Sequence, residues 1–305
     1  MPLWLTEDDV GRLLTMDACI EAVEASFRHW AEGRAANRPR SRAAIEGAML
    51  HTLPAASQPL GRMAAKVYAT SQRGARFVVL LFDAVSSELL AVIEADRLGQ
   101  MRTGAASGVA TRKLARPNAA VLGVLGSGWQ AQTQVQAIAA VRPLEEVRVF
   151  ARDRGRLIDF CGAVAKIGVA VRAAASAEAA VRGADIVVTA TSSPTPVLSG
   201  AWIAQGAHVN AVGSNRSDRR ELDGDAVARA SLIVCDSIDQ AGREAGDLLL
   251  AERAPGMPGP IERAVELAAV VAGKHPGRPD AHAVTLFKSL GLGLEDLAAA
   301  SLVFD

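Results

Sequence analysis

Val121-Leu122-Gly123-Val124-Leu125-Gly126-Ser127-Gly128-Trp129-Gln130-Ala131 is an apolar run, a glycine turn and the start of a helical pattern. Its core, Gly126-x-Gly128-x-x-Ala131, is a dinucleotide-binding fingerprint with alanine in the third place. Gly126 permits the tight turn, Gly128 lets the backbone approach a pyrophosphate, and Ala131 lets the helix lie close to its sheet. The helix start adds free N–H groups and the positive end of a dipole, both suited to phosphate. Such a pattern is weak alone and gains weight from context. Here it opens a series of strand-sized apolar runs: Ala120–Leu125, Val147–Phe150, Val169–Val171, Ile186–Thr189, His208–Val212 and Leu232–Cys235. Helical stretches at Trp129–Ala140, Gly155–Ile167 and Ala177–Arg182 separate most of them. Six strands in this alternation predict an α/β fold with a Rossmann-type, doubly wound parallel sheet. Gly256–Pro260 reads as a linker, followed by a helix near Ile261–Ala272 and a last one from about Leu292 to Leu302.

The end of the second of these strands selects the cofactor. A site for NAD offers an acid there to bond the ribose 2′-hydroxyl. This chain offers Val149-Phe150-Ala151-Arg152-Asp153-Arg154, with alanine in the acidic place and arginines after it. Arg152 and Arg154 suit a 2′-phosphate and favour NADPH. A strand ending two residues later would make Asp153 the ribose acid and favour NAD.

Upstream, the pattern differs. Thr6-Glu7-Asp8-Asp9 starts a helix, with Thr6 capping and Asp9 in the first turn. A second helix, Asp17 to Ala31, puts Ile20, Val23, Phe27 and Trp30 on one face. Arg34 to Arg42 reads as a polar connector. Ala48–Leu53, Ala64–Thr70, Phe77–Phe82 and Leu89–Glu94 are short strands without intervening helices, which predicts a mainly antiparallel sheet. One helix then covers Arg97 to Ala115.

Composition excludes several classes of function. The chain has 305 residues, about half of them apolar, and 33 basic against 33 acidic side chains. No charge excess suggests a nucleic-acid partner, and the apolar content excludes a disordered chain. Cys19, Cys161 and Cys235 match no metal spacing and read as buried thiols in a reducing compartment. No segment has the length of apolar residues that crosses a bilayer, and the acidic N-terminus is unlike an export signal. A cytoplasmic protein without membrane or metal is expected.

Lysine is scarce, with five in the chain, so Lys66 inside the apolar run Met63-Ala64-Ala65-Lys66-Val67-Tyr68 stands out. Arg102 opens a run of small residues, Thr103-Gly104-Ala105-Ala106-Ser107, and Arg40 lies in the polar connector. Spacing alone does not assemble these three into a site. Tyr68, the one tyrosine, is two residues from Lys66, so the tyrosine–lysine pair of short-chain dehydrogenases is absent.

Taken with Arg38-Pro39-Arg40, Leu53-Pro54-Ala55, Leu81-Phe82-Asp83, Met101-Arg102-Thr103-Gly104-Ala105, Asn210-Ala211-Val212-Gly213-Ser214-Asn215, Arg220-Glu221-Leu222 and Phe287-Lys288-Ser289-Leu290-Gly291, these motifs resemble the ornithine cyclodeaminase/mu-crystallin family over essentially the whole chain. The resemblance implies a substrate-binding and dimerisation domain at 1–115 with 286–305, and a Rossmann domain at 116–285. It implies that Arg40 and Arg102 clamp a substrate carboxylate and that Lys66 stands beside the reacting carbon, giving Lys66, Arg102 and Asn215 as catalytic candidates. Bidentate arginine contacts fix orientation, and a lysine flanked by arginines has a lowered pKa and can pass a proton. Cofactor contacts are implied at Gly126, Ser127, Gly128, Trp129, Gln130, Arg152, Arg154, Thr191, Val212, Arg219 and Ser289. Cyclodeaminases carry an aspartate where this chain has Asn215, which cannot titrate. The expected activity is therefore NAD(P)H-dependent reduction of imines derived from 2-oxo acids, or the related amino-acid dehydrogenation, by a homodimer. The alternatives are a cyclodeaminase that uses bound NAD, and a crystallin-like NADPH-binding protein without turnover. His51 is a further pocket candidate, but a core or surface position suits it better.

Overall fold

Residues 1–251 and 258–305 are described by the computed structural model. They divide into two units, Met1–Ala106 with Gly291–Asp305, and Ser107–Leu290. The expected linker at Gly256–Pro260 begins outside the described residues.

In the first unit, β1 (Leu3–Leu5) precedes α1 (Glu7–Leu13) and α2 (Met16–Ala31). Thr6 caps α1 in a reciprocal box with Asp9, which satisfies N–H groups that a helix start leaves open. Then come β2 (Ala35–Asn37), β3 (Ser41–Ile45), β4 (Ala48–Ser57), β5 (Arg62–Ser71), β6 (Gly74–Asp83) and β7 (Leu89–Glu94). The sheet runs β1-β7-β6-β5-β4-β2, with β3 pairing β4, and every pairing but β1 with β7 is antiparallel. The anticipated antiparallel sheet is present. However, Arg34 to Arg42 is not a plain connector: Ala35–Asn37 pairs with Ala55–Ser57, and β3 starts at Ser41. Those strands show no apolar alternation because β3 is exposed along its whole length.

Strand alternation decides what the sheet buries. Ala64 and Lys66, Val79 and Leu81, and Ala91 and Ile93 are buried, whereas Met63, Ala65, Val67, Val78 and Leu80 between them are only half-buried. The last helix, α11 in the chain's order (Gly293–Phe304), packs on β4, β5, β6 and α2. Apolar nearly all round, α11 is buried along most of its length.

A long helix, α3 (Asp96–Leu114), contains the boundary between the units. The second unit then alternates: β8 (Val121–Leu125), α4 (Trp129–Val141), β9 (Glu146–Phe150), α5 (Arg154–Ala165), β10 (Ala170–Ala173), α6 (Ala177–Val181), β11 (Ile186–Thr189), β12 (His208–Ala211), α7 (Gly224–Ala228), β13 (Ala230–Cys235), α8 (Ile238–Glu244), α9 (Gly246–Leu249), β14 (Val265–Glu266), α10 (Leu267–Val271) and β15 (Val284–Lys288). All eight strands are parallel, in the order β10-β9-β8-β11-β12-β15-β13-β14. The doubly wound sheet is as expected, but it has eight strands rather than six. Val284–Lys288 ends in a lysine and slots between β12 and β13, and Val265–Glu266 is too short to announce itself. The helix expected over Ile261–Ala272 shrinks to Leu267–Val271, because Val265 and Glu266 pair with Val234 and Cys235 instead.

Neighbouring residues of β11 enter separate cores: Val187 packs with Val209, Ile233 and Leu286, while Ile186 and Val188 pack with Leu122, Val124 and Val149. Burial on both faces explains why these strands read as continuous apolar runs. Cys19 and Cys235 are buried free thiols as expected, and Cys161 is half-exposed. Among the described residues no helix is long and apolar enough to cross a membrane, and no group of His, Cys, Asp or Glu is placed to hold a metal ion.

Gly123 in β8 is a tight point of this packing, since a Cβ there would lie 2.5 Å from the carbonyl oxygen of Ala180 in α6. Gly123→Ala must push α6 off the sheet and is expected to lower stability by about 1–3 kcal/mol. Urea unfolding followed by circular dichroism measures this; an unchanged midpoint would mean that α6 does not lie so close.

Candidate functional site

Lys66 sits in a row across the first sheet, opposite Leu53 on one side and Val79 on the other, with Ile93 next to Val79. All of these are buried. An ammonium there is costly unless a counter-charge meets it. Asp296, in the first turn of α11, supplies one: its Oδ1 accepts from Lys66 Nζ at 3.1 Å and from Arg102 Nε at 2.8 Å. Glu295 accepts from Arg102 Nη1 at 2.8 Å. Arg40 is buried too, and its Nη2 donates to the Gly291 carbonyl at 3.3 Å.

Burial pulls the Lys66 pKa down to about 8, with Arg102 and Arg40 adding to the shift and Asp296 opposing it. α3 reaches this amine at Gly99, where a Cβ would stand 2.7 Å from Nζ. The Lys66 ammonium also lies 5.4 Å from the centre of the Phe77 ring. His51 belongs to the core reading: it is buried, stacks on Tyr68 at 4.1 Å, and approaches Thr70 Oγ1 through Nε2 at 3.2 Å. Burial, then Arg42 and Arg40, lowers its pKa to about 4, so it is neutral near pH 7.

The three candidates that spacing left apart are thus tied to one end of α11, Lys66 and Arg102 by a shared carboxylate. Sequence reasoning missed Glu295 and Asp296. A signal existed, since two adjacent acids open a helix that is otherwise apolar.

The second unit carries the fingerprint. Gly126 has a φ of +114°, and a Cβ on it would stand 2.9 Å from the Ala190 carbonyl carbon, so the chain itself demands glycine there. Gly128 differs. Among the described residues nothing lies within 4 Å of where its Cβ would be, so the backbone there is open. Gly128 also caps α4 without any side-chain bond to the helix N–H groups. Ser127 and Gln130 are half-buried beside it, and Trp129 is exposed. These features fit a dinucleotide pyrophosphate.

β9 ends at Phe150. Ala151 follows, then exposed Arg152, and Asp153 is the N-cap of α5, accepting from the Arg156 N–H at 3.1 Å. Its carboxylate also stands 3.5 Å from the Arg156 guanidinium. The strand boundary that would make Asp153 the ribose acid is therefore not the one observed. Thr191, Val212 and Ser289 follow the carboxyl ends of β11, β12 and β15, the edge where such sheets bind ligands. Thr191 uses its N–H and hydroxyl on Glu221. Asn215 is half-buried on the loop after β12, and the Arg219 carbonyl accepts from Ser214 Oγ.

Comparison with known proteins agrees with this architecture. A Rhizobium meliloti protein named as a dehydrogenase is 42% identical over 208 residues, which are 68% of this chain and 62% of that protein, so under two thirds of its length is spanned. The mouse ketimine reductase mu-crystallin is 38% identical over 227 residues, 74% of this chain and 68% of that protein. The solved structure of Thermococcus litoralis Delta(1)-pyrroline-2-carboxylate reductase, in complex with NADH and L-proline, superposes with a TM-score of 0.94 at 33% identity, covering 99% of this chain and 96% of that one. The family model described as ornithine cyclodeaminase/mu-crystallin matches residues 2–305. The chain belongs to the ornithine cyclodeaminase/mu-crystallin family.

Proposed function

We propose that this chain is a cytoplasmic, NADPH-dependent reductase of imines derived from 2-oxo acids, yielding cyclic or N-substituted amino acids. With ammonia as the amine, the same chemistry is amino-acid dehydrogenation. The observation that carries the reading is the buried cluster of Arg40, Lys66 and Arg102 on the Glu295–Asp296 end of α11. Arg40 and Arg102 hold the substrate carboxylate and so orient the C=N group. A bound dihydronicotinamide supplies the hydride for the imine carbon. Lys66 Nζ holds the proton that the product nitrogen needs. Asn215 accepts and donates hydrogen bonds but moves no proton, which disfavours cyclodeamination. Oxidation of reduced cofactor across a panel of cyclic imines, and of 2-oxo acids mixed with amines, tests the reading; ammonia release without cofactor turnover would replace it with the lyase.

The first unit binds substrate and dimerises, and the second holds the cofactor. The half-buried apolar face at Met63, Ala65, Val67, Val78 and Leu80 suits a second copy of the chain. Sedimentation is expected to give a dimer at micromolar concentration; a stable monomer would remove the proposal.

Lys66→Met is expected to cut the rate by about a hundredfold or more while cofactor affinity stays within twofold. Turnover near the wild-type rate would take Lys66 out of the mechanism. Because the amine titrates near 8, imine reduction, which needs the ammonium, should fall as pH rises through about 8. Amine oxidation, which needs the free amine, should rise over the same interval. Asp296→Asn removes the main influence that supports the ammonium and should move both profiles to lower pH. A profile that stays in place would show that another group sets it.

NADPH is preferred because Ala151 withholds the acid that would repel a 2′-phosphate and Arg152 follows at once. Arg154 lies in the first turn of α5, while Arg156 is paired with Asp153. A charge-assisted phosphate contact is worth about 1.5–3 kcal/mol, or a preference of roughly ten- to hundredfold. Arg152→Ala should raise the KM for NADPH by about that factor and leave NADH unaffected. A wild-type preference for NADH would overturn this choice.

A further inference from the structure

Glu221 is a fully buried carboxylate to which the proposed reaction gives no task. Its Oε1 accepts from the Thr191 N–H at 2.6 Å and the Thr191 hydroxyl at 2.7 Å. Its Oε2 accepts from the Gly213 N–H at 2.7 Å and the Thr189 hydroxyl at 2.9 Å. These four donors come from the carboxyl ends of β11 and β12 and the loops that leave them. The Glu221 N–H in turn donates to Asp247 Oδ1 at 2.6 Å, and the Leu222 N–H to the same oxygen at 3.0 Å. Asp247 Oδ2 accepts from Lys288 Nζ at 2.8 Å. Lys288, the last residue of β15, also donates to the carbonyls of Ser214 at 2.6 Å and Ala211 at 3.3 Å. Asp247 and Lys288 are as fully buried as Glu221.

One polar chain therefore ties together the carboxyl ends of three adjacent strands. It continues to the fingerprint, because a Cβ on Gly126 would meet the Ala190 carbonyl and stand 3.2 Å from Thr191 Cγ2. The fingerprint turn leans on the residues that Glu221 holds. Ligands of a doubly wound sheet bind along this edge.

We propose that Glu221 is a positioning residue for the dinucleotide, fixing the loops after β11 and β12 through Thr191 and Gly213 and backed by Asp247 and Lys288. The inference rests on the reading that the second unit holds the cofactor. Burial pushes the Glu221 carboxyl above its usual range, against the pull of Lys288 and Thr191, yet four donors can be met only by an acceptor on both oxygens. Glutamine keeps the shape but turns an NH2 group towards two of those donors.

Glu221→Gln, Thr189→Val and Thr189→Ser in the full chain test this, since the Thr189 hydroxyl donates to Glu221 and Thr189 is buried. Readouts are titration with NADPH and with NADH, separate KM values for cofactor and imine, and the thermal midpoint. Glu221→Gln should raise the cofactor Kd about tenfold and Thr189→Val about threefold. The imine KM should stay within twofold, and Thr189→Ser, which keeps the hydroxyl, should bind as wild type does. If Glu221→Gln does not fold, the Thr189→Val and Thr189→Ser pair carries the test. Variant Kd values equal to wild type would overturn the proposal. So would cofactor and imine KM values that rise together as the midpoint falls, since that marks structural support alone. A wild-type protein that binds neither nucleotide would instead defeat the cofactor reading, and this inference with it.

Discussion

A single carboxylate oxygen, Asp296 Oδ1, serves Lys66 and Arg102 at once, and the first unit is organised by the need to keep those charges paired away from water. Lys66 occupies an apolar row, between buried Leu53 and Val79. The compensating acids come from α11, whose other positions are largely apolar and buried. Glu295 and Asp296 lie in its first turn, where the helix dipole favours negative charge. Breaking one partner of such a cluster is far more damaging than never having built it. Stability therefore does not explain why it exists, whereas the anion recognition and proton movement proposed for it would.

In the second unit the comparable constraint is on backbone groups. A parallel sheet ends with its strands' last carbonyls and the following loops pointing into a crevice, and those polar groups need partners. Glu221, Asp247 and Lys288 provide them. The two fingerprint glycines separate along the same line of thought. Gly126 answers to the fold, because Ala190 and Thr191 lie against it, whereas no described residue presses on Gly128.

Charge also narrows the chemistry. Arg102 already shares its guanidinium between two acids, so on the proposed function a substrate carboxylate would join a set of charges rather than meet a bare cation. His51, stacked on Tyr68 and neutral, adds packing beside Arg40 and Arg42 without adding charge. In the second unit, capping of α5 occupies Asp153, which leaves arginine as the charged side chain immediately after Ala151.

Local chemistry was legible in the sequence. The turn at Gly126, the cap at Thr6, the apolar runs of β8, β11 and β12, and the antiparallel character of the first sheet all follow from neighbours within a few residues, and periodicity or turn preference reports them. Arg40, Lys66 and Arg102 could be singled out by residue type and motif. Their assembly could not, because Asp296, the acid that joins Lys66 and Arg102, lies 230 and 194 residues along the chain from them. The same holds for β15, whose terminal Lys288 makes sense only beside Asp247, and for Glu221, whose four donors sit at the ends of two other strands. A one-dimensional pattern records what a residue does to its own segment. Which buried charge meets which depends on where the segments pack, and only the tertiary structure decides that.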